Sequence, residues 1–298
     1  MIDKSKVKRF FSKRAATYDA HAHLQARMGD QLLDRMVASL ESPDVILDIG
    51  AGTGRIALAL AEQFPQATVL CADIAHGMTT RAAAKSRERD IPVIPLTADA
   101  ELLPLRAESV DLVVSNAAFQ WLNDLRYMLH EAARTLRPGG EIWFTMLGHR
   151  TLWELRAAFQ EVQKRSPLSR PVHLVEFQSV DGVCDALDHE SFQSFGIDVV
   201  TVEESYPQLW TLLKSLQNIG AQNASIHESN GLGRRQLLEN VIAYYESRFR
   251  GRDGITATFE VLFGHAKKAK ATHRTAEERE EDDMNSVEEL ATLRSVIL

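Results

Sequence analysis

Short apolar segments alternate with longer amphipathic segments between residues 45 and 147, and this alternation constrains the fold more than any other feature of the chain. The apolar runs are rich in Val, Ile and Leu, as in strands that are buried on both faces. Predicted strands cover residues 45–49, 68–72, 92–97, 110–115 and 141–147. The pattern predicts an α/β protein with a doubly wound, mostly parallel sheet.

Helices are predicted between these strands. Two cover residues 55–63 and 77–89. A third has one apolar face, formed by Leu122, Leu125, Leu129, Ala132 and Leu136. It runs into Arg137-Pro138-Gly139-Gly140, which cannot continue a helix and therefore predicts a turn.

The N-terminal segment predicts a helix over residues 27–40, because Leu24, Met28, Leu32, Met36 and Leu40 recur every four residues before Pro43. In the second half, helices are predicted over 151–164 and 180–192, on either side of a polar linker at 166–171.

The end of the chain predicts an antiparallel edge to the sheet. Apolar residues alternate over 255–265, and this segment is expected to pair antiparallel with a strand at 197–203. Two amphipathic helices lie between these strands, and we expect this helical insertion, residues 208–250, to cap the site. Residues 1–270 are thus expected to form one domain, followed by an acidic, solvated tail at 271–298.

Composition excludes several classes of function. The net charge is −7, but residues 275–298 hold eight acidic side chains and two arginines, so the rest of the chain is nearly neutral and nucleic acid is not an expected partner. No apolar run approaches the roughly 18 residues of a membrane span, and no secretory signal is visible, so a cytoplasmic protein is expected. Cys71, Cys184, His21 and His23 lack metal-ligand spacing, so no metal is expected.

A glycine-rich turn follows the first predicted strand, in Leu47-Asp48-Ile49-Gly50-Ala51-Gly52-Thr53-Gly54. Glycines here permit a tight turn and the close approach of a ligand to the backbone at a helix N-terminus. A dinucleotide fingerprint has the spacing Gly-x-Gly-x-x-Gly, whereas Arg55 occupies the third glycine position here, which disfavours a nicotinamide cofactor. A purely structural turn is the alternative.

Polar side chains follow three further strands. Asp73 ends the second strand, where a carboxylate can accept hydrogen bonds from both hydroxyls of a ribose. Asp99-Ala100 follows the third, where the carboxylate can accept from the exocyclic amine of a purine, and Ser115-Asn116 ends the fourth. Each acid alone is as often a helix cap or a solvated charge, but three such features at successive strand ends favour a nucleoside site.

On these motifs, residues 45–147 resemble the class I S-adenosylmethionine-dependent methyltransferases, which have a Rossmann-like fold. The resemblance implies that Gly50, Gly52 and Gly54 line the methionine side, that Asp73 binds the ribose, that Asp99 and Ala100 meet the adenine and that Asn116 forms the far wall. It also implies that Asp48 steers the cofactor ammonium, directly or through water. Ala51, Ile74 and Met78 complete the implied cofactor set.

A narrower likeness extends over most of the chain. The segments 10–24, with Ala15-Ala16-Thr17-Tyr18-Asp19, 116–121, 151–155 and 216–221 resemble the malonyl-acyl-carrier-protein O-methyltransferases of biotin synthesis. The resemblance implies methylation of the free malonyl carboxylate, with residues 1–40 as lid helices. It places Tyr18 on that lid, against the substrate carboxylate or the cofactor, and Gln120 and Trp121 in the substrate pocket, although packing roles for Tyr18 and Trp121 stay open.

This reading implies malonyl-acyl carrier protein as the substrate partner. Carrier proteins are acidic, so the docking surface is expected to be basic. The candidates are Arg234, Arg235, Arg248, Arg250, Arg252, Lys267, Lys268 and Lys270. They are equally consistent with ordinary surface charges.

Two alternative functions stay open. One is methylation of another small molecule or protein with the same cofactor. The other is a cofactor-binding assembly factor of respiratory complex I that acts as an arginine hydroxylase, because residues 121–125 and 151–156 also resemble that family.

Overall fold

The computed structural model describes residues 2–165, 176–190, 192–218 and 232–270. The predicted polar linker at 166–171 and the predicted acidic tail at 271–298 lie outside these residues.

The described residues form one seven-stranded sheet in the order β3-β2-β1-β4-β5-β7-β6. The strands are β1 Val45–Ile49, β2 Thr68–Asp73, β3 Ile94–Thr97, β4 Val110–Asn116, β5 Leu136–Leu147, β6 Phe192–Tyr206 and β7 Ile255–Lys268. Strands β1 to β5 are parallel, whereas β7 pairs antiparallel with both β5 and β6. This confirms the predicted doubly wound sheet and its antiparallel edge.

Helices cover both faces of the sheet. They are α1 Lys4–Arg14, α2 His23–Val37, α3 Arg55–Gln63, α4 His76–Arg89, α5 Leu125–Thr135, α6 Trp153–Arg165, α7 Val180–Asp188, α8 Leu209–Asn218 and α9 Leu232–Arg248. One apolar core joins α2, α3, α6, α8 and α9 to the sheet, and a second joins α5 and α7 to the opposite face. No helix within the described ranges is long and apolar enough to cross a bilayer.

Several predicted boundaries are wrong. Helix α2 begins at His23 and ends at Val37. It ends early because the Ser39 hydroxyl donates a hydrogen bond to the Met36 carbonyl. The predicted turn at residues 137–140 is a bulge inside β5: Leu136 pairs with Val110 and Glu141 with Leu112, so four residues face one on β4. Gly139, at φ +82°, supplies the left-handed conformation that this bulge needs.

The cap helices α8 and α9 pack beside the sheet edge. Leu212, Val241 and Tyr245 are fully buried in the core shared with α6 and the start of β7, and Tyr245 donates a hydrogen bond to the Thr256 carbonyl. None of their described side chains lines the cavity at the carboxyl ends of β1, β2 and β4. A capping role for residues 208–250 stays a prediction.

Candidate active site

A cavity with about 820 Å³ of empty space, open to solvent, lies at the carboxyl ends of β1, β2 and β4. Ligands of open α/β sheets bind at this edge, where the strand order reverses. Ten predicted site residues line it: Tyr18, Gly50, Gly52, Asp73, Ile74, Met78, Asp99, Ala100, Asn116 and Trp121. Asp48, Ala51, Gly54 and Gln120 do not line it.

The glycine turn leaves open space on its cavity side. Gly50 and Gly52 have φ of +68° and +56°. A Cβ at Gly50 would lie 2.3 Å from the Cβ of Ala118, whereas one at Gly52 would meet no atom within 4 Å. A ligand in the cavity can therefore approach the Gly52 backbone closely.

Gly54 and Ala51 shape the turn from behind. A Cβ on Gly54 would lie 2.9 Å from the Cβ of Ala82, so this glycine allows α3 to pack closely on α4 rather than lining the methionine side as expected. The Ala51 amide donates to the Ala72 carbonyl at 2.9 Å and ties the turn to β2.

Asp73 is the best-placed carboxylate in the cavity. Its Oδ2 accepts from the Gly52 amide at 2.9 Å and its Oδ1 from the Ala75 amide at 2.7 Å. Each oxygen keeps a lone pair, so the carboxylate can accept two further hydroxyl donors, as a ribose would present them. Burial raises the pKa of Asp73 to about 6, against the lowering effect of the two amides.

Asp48 lies behind the cavity wall, so its predicted role in steering the cofactor ammonium, directly or through water, stays a prediction. Its side chain is 1% exposed, and Oδ2 accepts from the Ala57 amide in the first turn of α3 at 3.1 Å. Its Oδ1 is buried without a hydrogen-bond partner among the described residues. Desolvation raises the pKa of this carboxyl to about 8. Asp48 thus orients the glycine turn through α3.

Asp99 lies in the cavity but is already engaged by a cation. Both of its oxygens accept from Lys4 Nζ at 2.8 Å, and the same ammonium lies 2.8 Å from Glu101. An exocyclic amine at this position would share the carboxylate with Lys4.

Asn116 ties the far wall together. Its Nδ2 donates to the Gln25 carbonyl at 2.9 Å, and its Oδ1 accepts from Thr145 Oγ1 at 2.6 Å, so the amide links α2, β4 and β5. The next residue, Ala117, has φ +53°, a left-handed conformation that is uncommon outside glycine and often marks a functional site. Gln120, in contrast, does not line the cavity, and its Oε1 is buried without a partner among the described residues.

Helix α1 forms a roof over the cavity. Lys4, Val7 and Phe11 line it, and Phe11 makes edge-on ring contacts with Trp121 at 5.3 Å and Tyr18 at 6.1 Å. Burial raises the pKa of the Tyr18 hydroxyl above its ordinary value, and the nearby Asp73 and Asp19 add to the shift. Tyr18 therefore stays protonated near neutral pH.

The segment after α1 is fixed to the glycine turn. Asp19 accepts from Thr53 Oγ1 at 2.6 Å and pairs with Lys85 at 2.6 Å. Lys4, Val7 and Phe11 were not predicted to line the cavity, although they do. The ion pair of Asp19 with Lys85 was not predicted either. Their spacing of three and four residues marks Lys4, Val7 and Phe11 as one helix face, which was the available signal.

The predicted basic docking patch is divided in this structure. The backbone of Arg250 forms an isolated β-bridge with Ile255, at the start of β7. Lys267 and Lys268 lie at the far end of β7, where they pair with Glu141 and Glu108. At about 3.3 Å per residue, β7 separates these ends by roughly 40 Å. Lys267 and Lys268 are thus at the amino edge of the sheet, opposite the cavity, which corrects the prediction of a single patch.

The comparisons with known proteins agree with the fold. The profile of the family described as "Methyltransferase domain" matches residues 47–144. The structure of the YcgJ protein from Bacillus subtilis superposes with a TM-score of 0.57 at 18% identity, covering 81% of this chain and 100% of that chain. Phosphoethanolamine N-methyltransferase 2 of Haemonchus contortus, solved with S-adenosylhomocysteine, superposes at 0.53 and 19% identity, covering 82% of this chain and 53% of that chain.

Fold, cavity and matching profile together define a class I S-adenosylmethionine-dependent methyltransferase. A relative makes the assignment narrower: the malonyl-[acyl-carrier protein] O-methyltransferase of Geobacter sulfurreducens is 38% identical over 268 residues, covering 90% of this chain and 100% of the relative. The chain belongs to the malonyl-[acyl-carrier protein] O-methyltransferase family.

Proposed function

We propose that this protein is a cytoplasmic enzyme that uses S-adenosylmethionine to methylate the free carboxylate of malonyl-acyl carrier protein, as an early step of biotin synthesis. The observation that carries the proposal is the relationship to the Geobacter sulfurreducens enzyme, which covers that protein's whole length and 90% of this chain and so extends well beyond the cofactor core.

The residues of the cavity suit this cofactor. The two free lone pairs of Asp73 match the vicinal hydroxyls of the ribose, and the bare backbone at Gly52 admits the methionine part beside the turn. Ile74, Met78 and Ala100 supply apolar or small surfaces next to these polar groups. Asp99, together with Lys4, would meet the adenine, while Asp48 would hold the glycine turn through α3 and reach the cofactor ammonium at most through water.

The chemistry needs no general base. When bound, S-adenosylmethionine supplies a methyl group on a positively charged sulfur. A malonyl carboxyl group titrates near pH 4, so it is already ionised and nucleophilic at neutral pH. Tyr18 keeps its proton because of burial, so it can donate a hydrogen bond but does not act as a base. The protein's contribution is to orient the carboxylate and to exclude water with Phe11 and Trp121.

The test is incubation of the purified full chain with S-adenosylmethionine and malonyl-acyl carrier protein, followed by intact mass measurement of the carrier. We expect the gain of one methyl group with the malonyl carrier and no gain with succinyl or acetyl carriers. Asp73→Ala is the matched inactive control and should lose cofactor affinity by calorimetry. Cofactor binding without methylation of the malonyl carrier would refute the proposal and favour one of the two alternatives.

A further inference from the structure

Helix α1 has two opposite faces with different tasks. Lys4, Val7 and Phe11 face the cavity. A second stripe has the same spacing but begins two residues later; it consists of Lys6, Arg9 and Lys13, which are all exposed. An offset of two residues is about 200° around a helix, so this stripe points away from the cavity. We call Lys6, Arg9 and Lys13 the basic face.

Ion pairs within the described residues do not account for this charge. Residues 4–14 contain six basic side chains and no acidic one, and the first turn carries no acid. The helix dipole favours Lys13 and Arg14 in the last turn but disfavours the cations of the first turn. Lys4 is explained by Asp99, but Arg9 and Lys13 have no ion pair with any part of the chain that the structure describes. Arg9 and Lys13 therefore make a local positive field on this helix face, in a chain of net charge −7.

Three of the earlier docking candidates differ from Arg9 and Lys13 in this respect. Arg235 pairs with Glu239 at 3.1 Å and Arg250 with Glu246 at 3.0 Å. Lys267 pairs with Glu141 at 2.7 Å, at the edge of the sheet opposite the cavity. Their charges are therefore partly neutralised by this chain's own carboxylates, and an acidic partner would have to compete for them.

We propose that the basic face of α1 is the docking surface for the acidic acyl carrier protein. This inference rests on the proposed function and adds where the partner binds. A carrier protein presents clustered carboxylates, which complement three cations on a single face. The inner face of the same helix forms the cavity wall, so the docked carrier lies about one helix diameter, roughly 10–12 Å, from the site that its acyl group must enter.

The test is the double charge reversal Arg9→Glu/Lys13→Glu. Neither side chain lines the cavity, so cofactor affinity measured by calorimetry should equal that of the wild type. At low ionic strength we expect kcat/KM for malonyl-acyl carrier protein to fall at least tenfold, mostly through KM, and the deficit to shrink as salt screens the wild-type attraction. The rate with malonyl-pantetheine, which carries the acyl group without the protein, should not change.

The matched control is Lys214→Glu/Arg248→Glu on the cap helices. These two side chains are also exposed, and the control alters the charge by the same amount. We expect it to keep the wild-type kcat/KM. Direct binding of the unloaded carrier protein, measured by fluorescence anisotropy, should rank the three proteins in the same order.

Different failures have different meanings. If the wild type does not methylate malonyl-acyl carrier protein, the proposed function is wrong. If the wild type does so and Arg9→Glu/Lys13→Glu is equally efficient, or if only the cap-helix control loses the carrier, the function stands and the docking surface on α1 is refuted. Equal losses with carrier and with malonyl-pantetheine would also refute it, because they would reveal a general defect of the site.

Discussion

Gly77→Ala should weaken the packing of α1 over the cavity, although Gly77 itself does not line the cavity. Gly77 lies in the first turn of α4, and a Cβ there would come within 2.6 Å of both the Ser12 Cα and the Ser12 carbonyl oxygen. Ordinary contacts begin at 3.4 Å, so α1 must retreat by about 1 Å. Such overpacking costs about 1–3 kcal/mol. Alanine also favours the helix by about 0.5–1 kcal/mol, but α4 has this gain whether α1 is closed or open. The roof contact should therefore weaken by about 1–3 kcal/mol, which raises the ratio of open to closed α1 by a factor of about 5–150.

Gly77→Ala should change the opening of α1 but not the thermal midpoint of the protein. The helical gain within α4 should keep the thermal midpoint near that of the wild type, while α1 opens more often. Residues 4–14 contain six tryptic sites, so limited trypsin digestion of native protein should cut within α1 about 5–150 times faster. Calorimetry should show weaker cofactor binding, because Lys4, Val7 and Phe11 form part of the cavity wall.

The control for this variant is the same substitution in another first turn. A Cβ on Gly182 in α7 would meet only two side-chain oxygens, Gln178 Oε1 at 3.1 Å and Ser179 Oγ at 3.4 Å. Gly182→Ala should therefore leave digestion and cofactor affinity unchanged. Wild-type digestion and affinity in Gly77→Ala would show that α1 does not depend on close packing against α4, and would refute the reasoning.

Three further predictions follow from the buried carboxyls and from Tyr18. Asp73, with a pKa of about 6 without cofactor, must lose its proton to accept two hydroxyls, so cofactor affinity by calorimetry should be about tenfold weaker at pH 5 than at pH 7; a flat profile would contradict this. The pKa of Asp48 is raised to about 8, so its stabilising effect is complete below about pH 4 and is lost as the pH rises to 8. Asp48→Asn should therefore gain free energy of unfolding relative to wild type as the pH rises, and a constant difference in urea melts would disprove the assignment. Tyr18→Phe should lower kcat about tenfold or more with little change in cofactor affinity, whereas wild-type turnover would leave Tyr18 a packing role.

The parallel half of the fold was predictable because its signals are local. A strand buried on both faces must be a short apolar run, and Val45–Ile49 begins and ends where the sequence indicates. The same locality fixes Asp73: the chain leaves β2 at the carboxyl edge, and the Asp73 carboxylate accepts from the glycine turn at the end of the neighbouring strand β1. Chain order along the sheet therefore predicts which side chains meet there.

Other features depended on contacts between distant parts of the chain. The pairing of Lys4 with Asp99 spans 95 residues, and nothing near Lys4 indicates its partner. The bulge at residues 137–140 was predicted as a turn because proline and glycine signal irregular backbone without telling whether pairing continues beyond it. Whether Asp48 would act directly or through water stayed open, because a sequence shows which strand holds an acid but not whether its carboxylate turns toward a ligand or toward a helix amide.

The cavity groups that suit the cofactor and the remaining cavity groups come from different parts of the chain. The groups that suit the cofactor, such as Gly52 and Asp73, come from one continuous core that resembles many methyltransferases. Other groups of the cavity wall come from α1 and from the loop that holds Tyr18, which lie outside residues 47–144 that the methyltransferase profile matches. Side-chain contacts such as Phe11 with Trp121 hold them at the cavity. Substrate preference should therefore respond most to changes in α1 and least to changes in the core. The docking test on Arg9 and Lys13 measures this response, because it alters the outer face of α1 and leaves every side chain of the cavity wall in place.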